Sequence, residues 1–277
     1  MGTGIAEVVA VAEIPVIVRD VDDSALARAG ERIDASLARA VRGGKLDASQ
    51  AEEARERIDL TTRLDEIGES DLVIEAVPEN ERLKLEVMSA IDEVVAEDAI
   101  VASNTSSIPI AELAQAIRMP ERVLGLHFFS PVPVMMLVEV VVALDTSERT
   151  VESAKAFVQK LGKRPIETKD RSGFIVNMLL VPYLMAAVRM YADGFASRED
   201  IDAGMKLGCG HPMGPIELTD YVGLDTTLSI LEGWVRAHPK ETAFMVPPIL
   251  KKKVAEKKLG RKTGEGFYKW EGDKKVS

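Results

Sequence analysis

Arg122-Val-Leu-Gly-Leu-His-Phe-Phe-Ser-Pro-Val-Pro-Val-Met-Met-Leu-Val-Glu-Val-Val-Val142 is the stretch from which the rest of the chain can be read. Its two ends are short apolar runs and its middle is broken by Pro131 and Pro133, so it reads as two strands joined by a loop. His127 leaves the first strand, and Glu139 lies inside the second. Side chains alternate faces along a strand, which puts Glu139 with Leu137 and Val141 and leaves Val138, Val140 and Val142 opposite. Both faces are apolar. A carboxylate there is costly unless something pairs with it, and His127, one of three histidines in the chain, is the nearest partner. A His held by a carboxylate keeps one tautomer, which suits a general base acting on a hydroxyl. A His at a strand end is also commonly a satisfied structural residue.

Outward from this stretch the pattern is strand, helix, strand. Asp71-Leu-Val-Ile-Glu-Ala-Val77 and Ala99-Ile-Val-Ala-Ser103 read as buried strands, and Lys163-Arg-Pro-Ile-Glu-Thr-Lys-Asp170 as a last one after a helix over 147–161. Such alternation predicts an α/β fold with a doubly wound parallel sheet, whose ligands sit beyond the carboxyl ends of the strands. The loops carrying Glu79 and Ser106 lie at those ends. Ser103, Ser106 and Ser107 are otherwise ordinary helix caps.

Near the start, Met1-Gly-Thr-Gly-Ile-Ala-Glu-Val-Val-Ala10 opens directly as an amphipathic helix, and Ile14-Pro-Val-Ile-Val-Arg-Asp20 is a strand ending in an acid. A strand ending in Asp about 20 residues after a glycine-opened helix is the second half of a dinucleotide-binding unit. Asp20 would accept hydrogen bonds from the adenosine ribose and repel a 2′-phosphate, favouring NAD over NADP. The strand and the first two glycines of the G-x-G-x-x-G fingerprint do not precede it. The expectation is that Met1 is internal to a chain that begins upstream. A helix over 22–42, stopped by Gly43-Gly44, and a charged helix over 47–57 make a hairpin.

Asp170-Arg-Ser-Gly173 marks the domain boundary, giving domains 1–169 and 170–277, because the pattern beyond it is helical. The 174–191 segment is apolar nearly all round and predicts a helix buried in a core or a subunit interface, with Asn177 as its polar exception. Ser197 caps the next helix, and the 208–215 segment reads as a turn. His211 reads as structural, Cys209 as a packing residue, and His238 as exposed and inert.

The 277 residues hold two modest domains. A net charge of −10 argues against non-specific nucleic-acid binding. One cysteine excludes a disulfide framework and a Cys-based metal cluster, and no run reaches the length of a membrane span. The expected setting is a reducing cytoplasm, with no metal, no nucleic acid and no membrane partner.

The string His-Phe-Phe-x-Pro-Val-Pro-Val-Met-x-Leu-Val-Glu-Val over 127–140 resembles the signature of the short-chain L-3-hydroxyacyl-CoA dehydrogenases, which include the bacterial 3-hydroxybutyryl-CoA dehydrogenases. The 217–226 and 259–268 segments and the Gly-Phe-x-Val-Asn motif ending at Asn177 resemble the same family, so the likeness covers essentially the whole chain. It implies a Rossmann-type NAD domain followed by an all-α domain that holds substrate and forms a homodimer. It implies reversible oxidation of (S)-3-hydroxyacyl-CoA to 3-oxoacyl-CoA, with His127 as base, Glu139 orienting it, and Ser106 and Asn177 holding the substrate. Gly2 is similar to the last glycine of the family fingerprint, and Asp20, Glu79, Lys84, Ser106, Ser130 and Lys262 match its cofactor contacts. Ser36 matches a coenzyme A contact. A family lysine falls at Gly43, where Arg39, Arg42 or Lys45 could supply the charge instead. The chain departs from the pattern at Ser130, where the family has Asn, and at Met136, where it has Lys. The alternatives are a sugar-acid dehydrogenase of the L-gulonate type, a reductase working in the synthetic direction, and a non-enzymatic degenerate homologue.

Overall fold

The structure, a computed structural model, describes residues 1–237 and 239–276 and divides into two compact units, Met1–Phe174 and Ile175–Ser277. His238 lies outside the described residues.

The first unit runs α1 (Gly2–Val11), β1 (Val16–Arg19), α2 (Asp23–Arg42), α3 (Ala48–Glu56), β2 (Ile58–Thr61), β3 (Leu72–Glu75), α4 (Glu81–Val94), β4 (Ile100–Ser103), α5 (Ile110–Ala114), β5 (Val123–Phe128), β6 (Leu137–Val142), α6 (Glu148–Lys160) and β7 (Arg164–Lys169). The helix starts follow from side chains that accept first-turn amides: Asp22 from Ala25, Asp47 from Gln50 in a capping box, Asn80 from Leu83, and Ser147 from Thr150.

β3-β4-β5-β6-β7 form one sheet, parallel except for the antiparallel β5–β6 pair. Val101, Val123 and Val141 face Met88 and Ile91 of α4 and Ile110 and Leu113 of α5. Leu124, Leu126, Val138 and Val140 face Ile5 and Val9 of α1 and Val151, Ala154 and Val158 of α6. Helices on both faces are what the doubly apolar strands require.

β1 and β2 pair in parallel as a separate two-stranded sheet. β2 had no signal of its own, because Ile58-Asp-Leu-Thr61 is four residues directly after a charged helix. The break between the sheets falls where a doubly wound sheet carries the strand that leads into its first helix. α1 spans the break: its Ile5 and Val9 share one apolar cluster with Val16 of β1 and with Leu72 and Ile74 of β3.

The second unit contains α7 (Val176–Ala192), α8 (Arg198–Cys209), α9 (Pro215–Val222), α10 (Leu224–Ala237), α11 (Pro248–Ala255) and a short hairpin of β8 (Trp270–Glu271) and β9 (Lys274–Lys275). The helical expectation therefore needs that hairpin added. Ser197 caps α8, accepting the Asp200 amide, and α8 runs two residues into the expected turn, closing on left-handed Gly210. Cys209 is exposed rather than packed. His211 sits beside Tyr183, with Nδ1 3.2 Å from its hydroxyl. α7 is not buried all round. Its Met185 and Val188 enter the core while Leu179 is 71% exposed, so one apolar stripe faces outward.

Asp220 organises this unit. It is fully buried and accepts from the Phe267 amide at 2.7 Å, the Tyr268 amide at 2.8 Å and the Trp270 indole at 3.0 Å. Burial pushes its carboxyl above the usual range, and these donors only partly offset that. Asp220→Ala leaves three buried donors without an acceptor and is expected to cost about 3 kcal/mol or more. A thermal melt should show a fall of about 6 °C or more, since 1 kcal/mol shifts a chain of this size by about 2–4 °C.

Candidate active site

The β5–β6 hairpin sets His127 directly opposite Glu139. Nδ1 lies 2.6 Å from Oε2, with Glu139 at 0% exposure and His127 at 6%. Directly opposed residues of an antiparallel pair project to the same face, which explains how twelve residues of sequence separation close to one hydrogen bond. Gly125, two residues before His127, allows this packing, because a Cβ there would lie 2.8 Å from that of Val141 and 2.9 Å from Ile110. Phe129 and Phe174 flank the imidazole, their ring centroids 4.5 and 5.5 Å away. With Nδ1 committed to the carboxylate, Nε2 is the nitrogen that can take a proton.

Asn104 joins the loop after β4 to this hairpin by accepting the Phe128 amide at 2.9 Å. The same loop is pinned from the other side by Glu79. Glu79 Oε1 accepts from the Thr105 hydroxyl at 2.6 Å, the Ser106 and Ser107 amides at 3.0 Å each, and the Ser107 hydroxyl at 2.8 Å. Burial raises the Glu79 carboxyl, but Thr105, the Lys84 charge and Ser107 outweigh it and hold it below the ordinary value. Ser106 is thereby fixed, half-buried, at the carboxyl end of β4.

Lys84 lies inside the protein, its side chain 1% exposed. Its ammonium donates to both oxygens of Glu75, at 2.8 and 3.0 Å, and to the Val77 carbonyl at 3.2 Å, with Glu79 at 3.4 Å. Sequence reasoning missed Glu75. The signal was available: it is an acid inside an apolar strand, as Glu139 is.

Asp20 stands half-buried at the end of β1, one carboxylate oxygen accepting the Val21 amide. α1 starts at Gly2 without a side-chain cap, the condition for an anion to be held by its first-turn amides. A Cβ on Gly2 would lie 3.8 Å from Ala76, just past β3. The acid, the uncapped helix start and the small residue at the strand end fit the adenosine and pyrophosphate portions of NAD.

A cavity of about 380 Å³ lies between α1, α2 and the loop after β5. Ser36, Arg32 and Arg39 line one side and Ser130 to Pro133 the other. Of the alternatives for the missing lysine charge, Arg39 lies on this cavity, whereas Arg42 and Lys45 are not among its lining residues. Buried Glu7 forms part of the wall, its carboxyl raised by burial against the opposing effects of Ser36 and Arg39. The loop is clamped by Lys163, which donates to the carbonyls of Val132 at 2.6 Å and Met135 at 2.8 Å. Ser130 and Met136, the two departures from the family pattern, are both exposed on it.

In the second unit, Asn177 lies half-buried in the first turn of α7. The Lys262 ammonium pairs with Asp225, 2.5 Å away, both side chains being partly exposed. Among the described residues no group of three or more His, Cys, Asp or Glu could hold a metal ion, and no helix is long and apolar enough to cross a membrane.

Known proteins resemble the chain over nearly its whole length. Residues 1–171 match the 3-hydroxyacyl-CoA dehydrogenase NAD binding domain, and residues 173–270 match the 3-hydroxyacyl-CoA dehydrogenase C-terminal domain. The mitochondrial hydroxyacyl-coenzyme A dehydrogenase of Rattus norvegicus is 48% identical over 276 residues, covering 98% of this chain and 88% of the rat protein. A 3-hydroxybutyryl-CoA dehydrogenase of Mycobacterium tuberculosis is 46% identical over 270 residues, covering 97% and 94%. Among solved structures, FadB2 of M. tuberculosis superposes with a TM-score of 0.96 at 45% identity, covering 98% of this chain and 95% of that one. The (S)-3-hydroxybutyryl-CoA dehydrogenase PaaH1 of Ralstonia eutropha gives 0.93 at 40% identity with the same coverage.

Proposed function

Because the chain belongs to the 3-hydroxyacyl-CoA dehydrogenase family, we propose that it oxidises short-chain (S)-3-hydroxyacyl-CoA, such as 3-hydroxybutyryl-CoA, to the 3-oxoacyl-CoA, reversibly and with NAD. The observation that carries this reading is the buried His127–Glu139 pair beside the Ser106 loop. When bound, NAD supplies the hydride acceptor. His127 Nε2 takes the proton of the 3-hydroxyl, and Glu139 stabilises the imidazolium that forms. Ser106, held by Glu79, donates to the same oxygen. Asp20 and Gly2 would hold the adenosine and pyrophosphate ends of NAD, and Ser36 with Arg39 the coenzyme A portion. Asn177 is proposed as a substrate contact, and Lys262 as a cofactor contact, on their motifs. The test is loss of NADH absorbance with acetoacetyl-CoA. A folded chain that consumes no NADH would overturn the reading.

Ser130 is shorter than the Asn of the family pattern, so a direct hydrogen bond is replaced by a water-mediated one or lost. Ser130→Asn is expected to raise turnover about fivefold, the effect of one net hydrogen bond of about 1 kcal/mol. Unchanged steady-state kinetics would show that this position is not limiting.

A homodimer formed through the second unit is also proposed, supported by the outward apolar stripe of α7 that includes Leu179. Sedimentation velocity tests it. The proposed location is cytoplasmic, supported by the single, unpaired Cys209.

A further inference from the structure

At the carboxyl ends of β3 and β4 the polar side chains form a closed ring. Glu75, the last residue of β3, is 3% exposed. Its Oε2 accepts the Ser103 hydroxyl at 2.6 Å and its Oε1 the Val77 amide at 2.6 Å, while both oxygens take the Lys84 ammonium. Ser103 Oγ accepts the Thr105 amide at 3.2 Å, and Thr105 passes its hydroxyl hydrogen to Glu79. Lys84 lies 3.4 Å from the other oxygen of Glu79 and closes the circuit. The buried half is Glu75, Lys84, Ser103 and Thr105, and the half that reaches solvent is Glu79 with Ser106.

This placement argues against mere filling. A buried ion pair is a weak source of stability, since two desolvated charges recover little more than the desolvation costs them. The ring instead joins the two loops that leave the sheet where ligands of a doubly wound fold sit. The charges are arranged in series, with Glu75 sharing the Lys84 cation with Glu79. Without the Glu75 charge, the whole attraction of Lys84 falls on Glu79 and draws its carboxylate away from the Thr105, Ser106 and Ser107 donors; without both charges, Glu79 loses the cation behind it and Ser103 its acceptor, so the two loops are again no longer held.

Resting on the dehydrogenase reading, we propose that Glu75 is a positioning residue of the site: through Lys84 and Ser103 it sets Glu79 and Ser106. It touches neither substrate nor cofactor. Its effect falls on the NAD side and, through Ser106, on the substrate's 3-oxygen, and not on the proposed coenzyme A contacts, Ser36 and Arg39, which belong to α2.

The test compares the full chain with Glu75→Gln and with the double variant Glu75→Leu/Lys84→Met, which replaces the pair by apolar groups. NADH binding is followed by fluorescence titration, and acetoacetyl-CoA reduction is resolved into kcat and KM. Both variants are expected to bind NADH about tenfold more weakly, the effect of one charge-assisted hydrogen bond, with a lower kcat and the acetoacetyl-CoA KM unchanged. The double variant leaves the Ser103 hydroxyl and the Val77 amide without an acceptor and is expected to melt a few degrees below the parent; NADH affinity measured well below that melting temperature separates positioning from stability and carries the test if Glu75→Gln does not fold. Parental NADH affinity in the double variant would overturn the proposal while leaving the dehydrogenase reading intact. Absence of NADH binding by the unaltered chain would overturn both.

Discussion

His127→Gln is expected to lower kcat for acetoacetyl-CoA reduction about 1,000-fold, within the range by which positioned general acids and bases accelerate reactions. Gln has no nitrogen that can gain and lose a proton near neutral pH, so the substitution removes proton transfer as such. Its amide can still donate to Glu139, which keeps the buried carboxylate hydrogen-bonded and the hairpin intact. KM values for both substrates should therefore change little, and the melting temperature should stay close to that of the parent. Steady-state kinetics beside a thermal melt measures all three. A fall in kcat of less than about tenfold would remove His127 from the proton-transfer step.

Glu139→Gln is expected to cost nearly as much, about 1,000-fold in kcat, although the side chain touches no substrate. A carboxylate only accepts, so an imidazole bonded to one through Nδ1 presents its hydrogen there and its lone pair at Nε2. A Gln amide can donate to Nδ1, which moves the ring hydrogen to Nε2 and blocks the position that takes the proton. The imidazolium also loses its counter-charge inside a pocket where solvent contributes little, Glu139 being fully buried. Kinetics and binding separate these from misfolding: kcat should collapse while NADH and acetoacetyl-CoA still bind. A Glu139→Gln enzyme retaining more than about a tenth of parental kcat would reduce the carboxylate to a packing role.

The pairing of these two residues was legible because an acid in a strand apolar on both faces has few physical solutions, and His127 was the nearest of them. The sheet and its flanking helices were legible for a related reason: strand and helix periods differ, and the alternation of 71–77, 99–103 and 163–170 with helical segments is unambiguous. β2 was not legible, since its four residues carry too little pattern to stand out after α3. Lys84 matched a family contact, but only the fold turns its ammonium inward to Glu75. The exposure of Leu179 was equally out of reach, because an apolar residue on a helix looks the same in sequence whether the core or the outside receives it. Ser36 and Ser106 have no signal beyond motif, as a serine near a helix start is first of all a cap.

Asn104 makes the loop after β4 and the β5–β6 hairpin a single mechanical piece. Its side chain accepts the Phe128 amide, and its own amide donates to the Glu75 carbonyl, so this loop cannot lift without pulling on the strand that carries His127. Amide hydrogens of 104–107 and of 127–128 are therefore expected to exchange with solvent at matched rates, and Asn104→Ala to let the first group exchange ahead of the second.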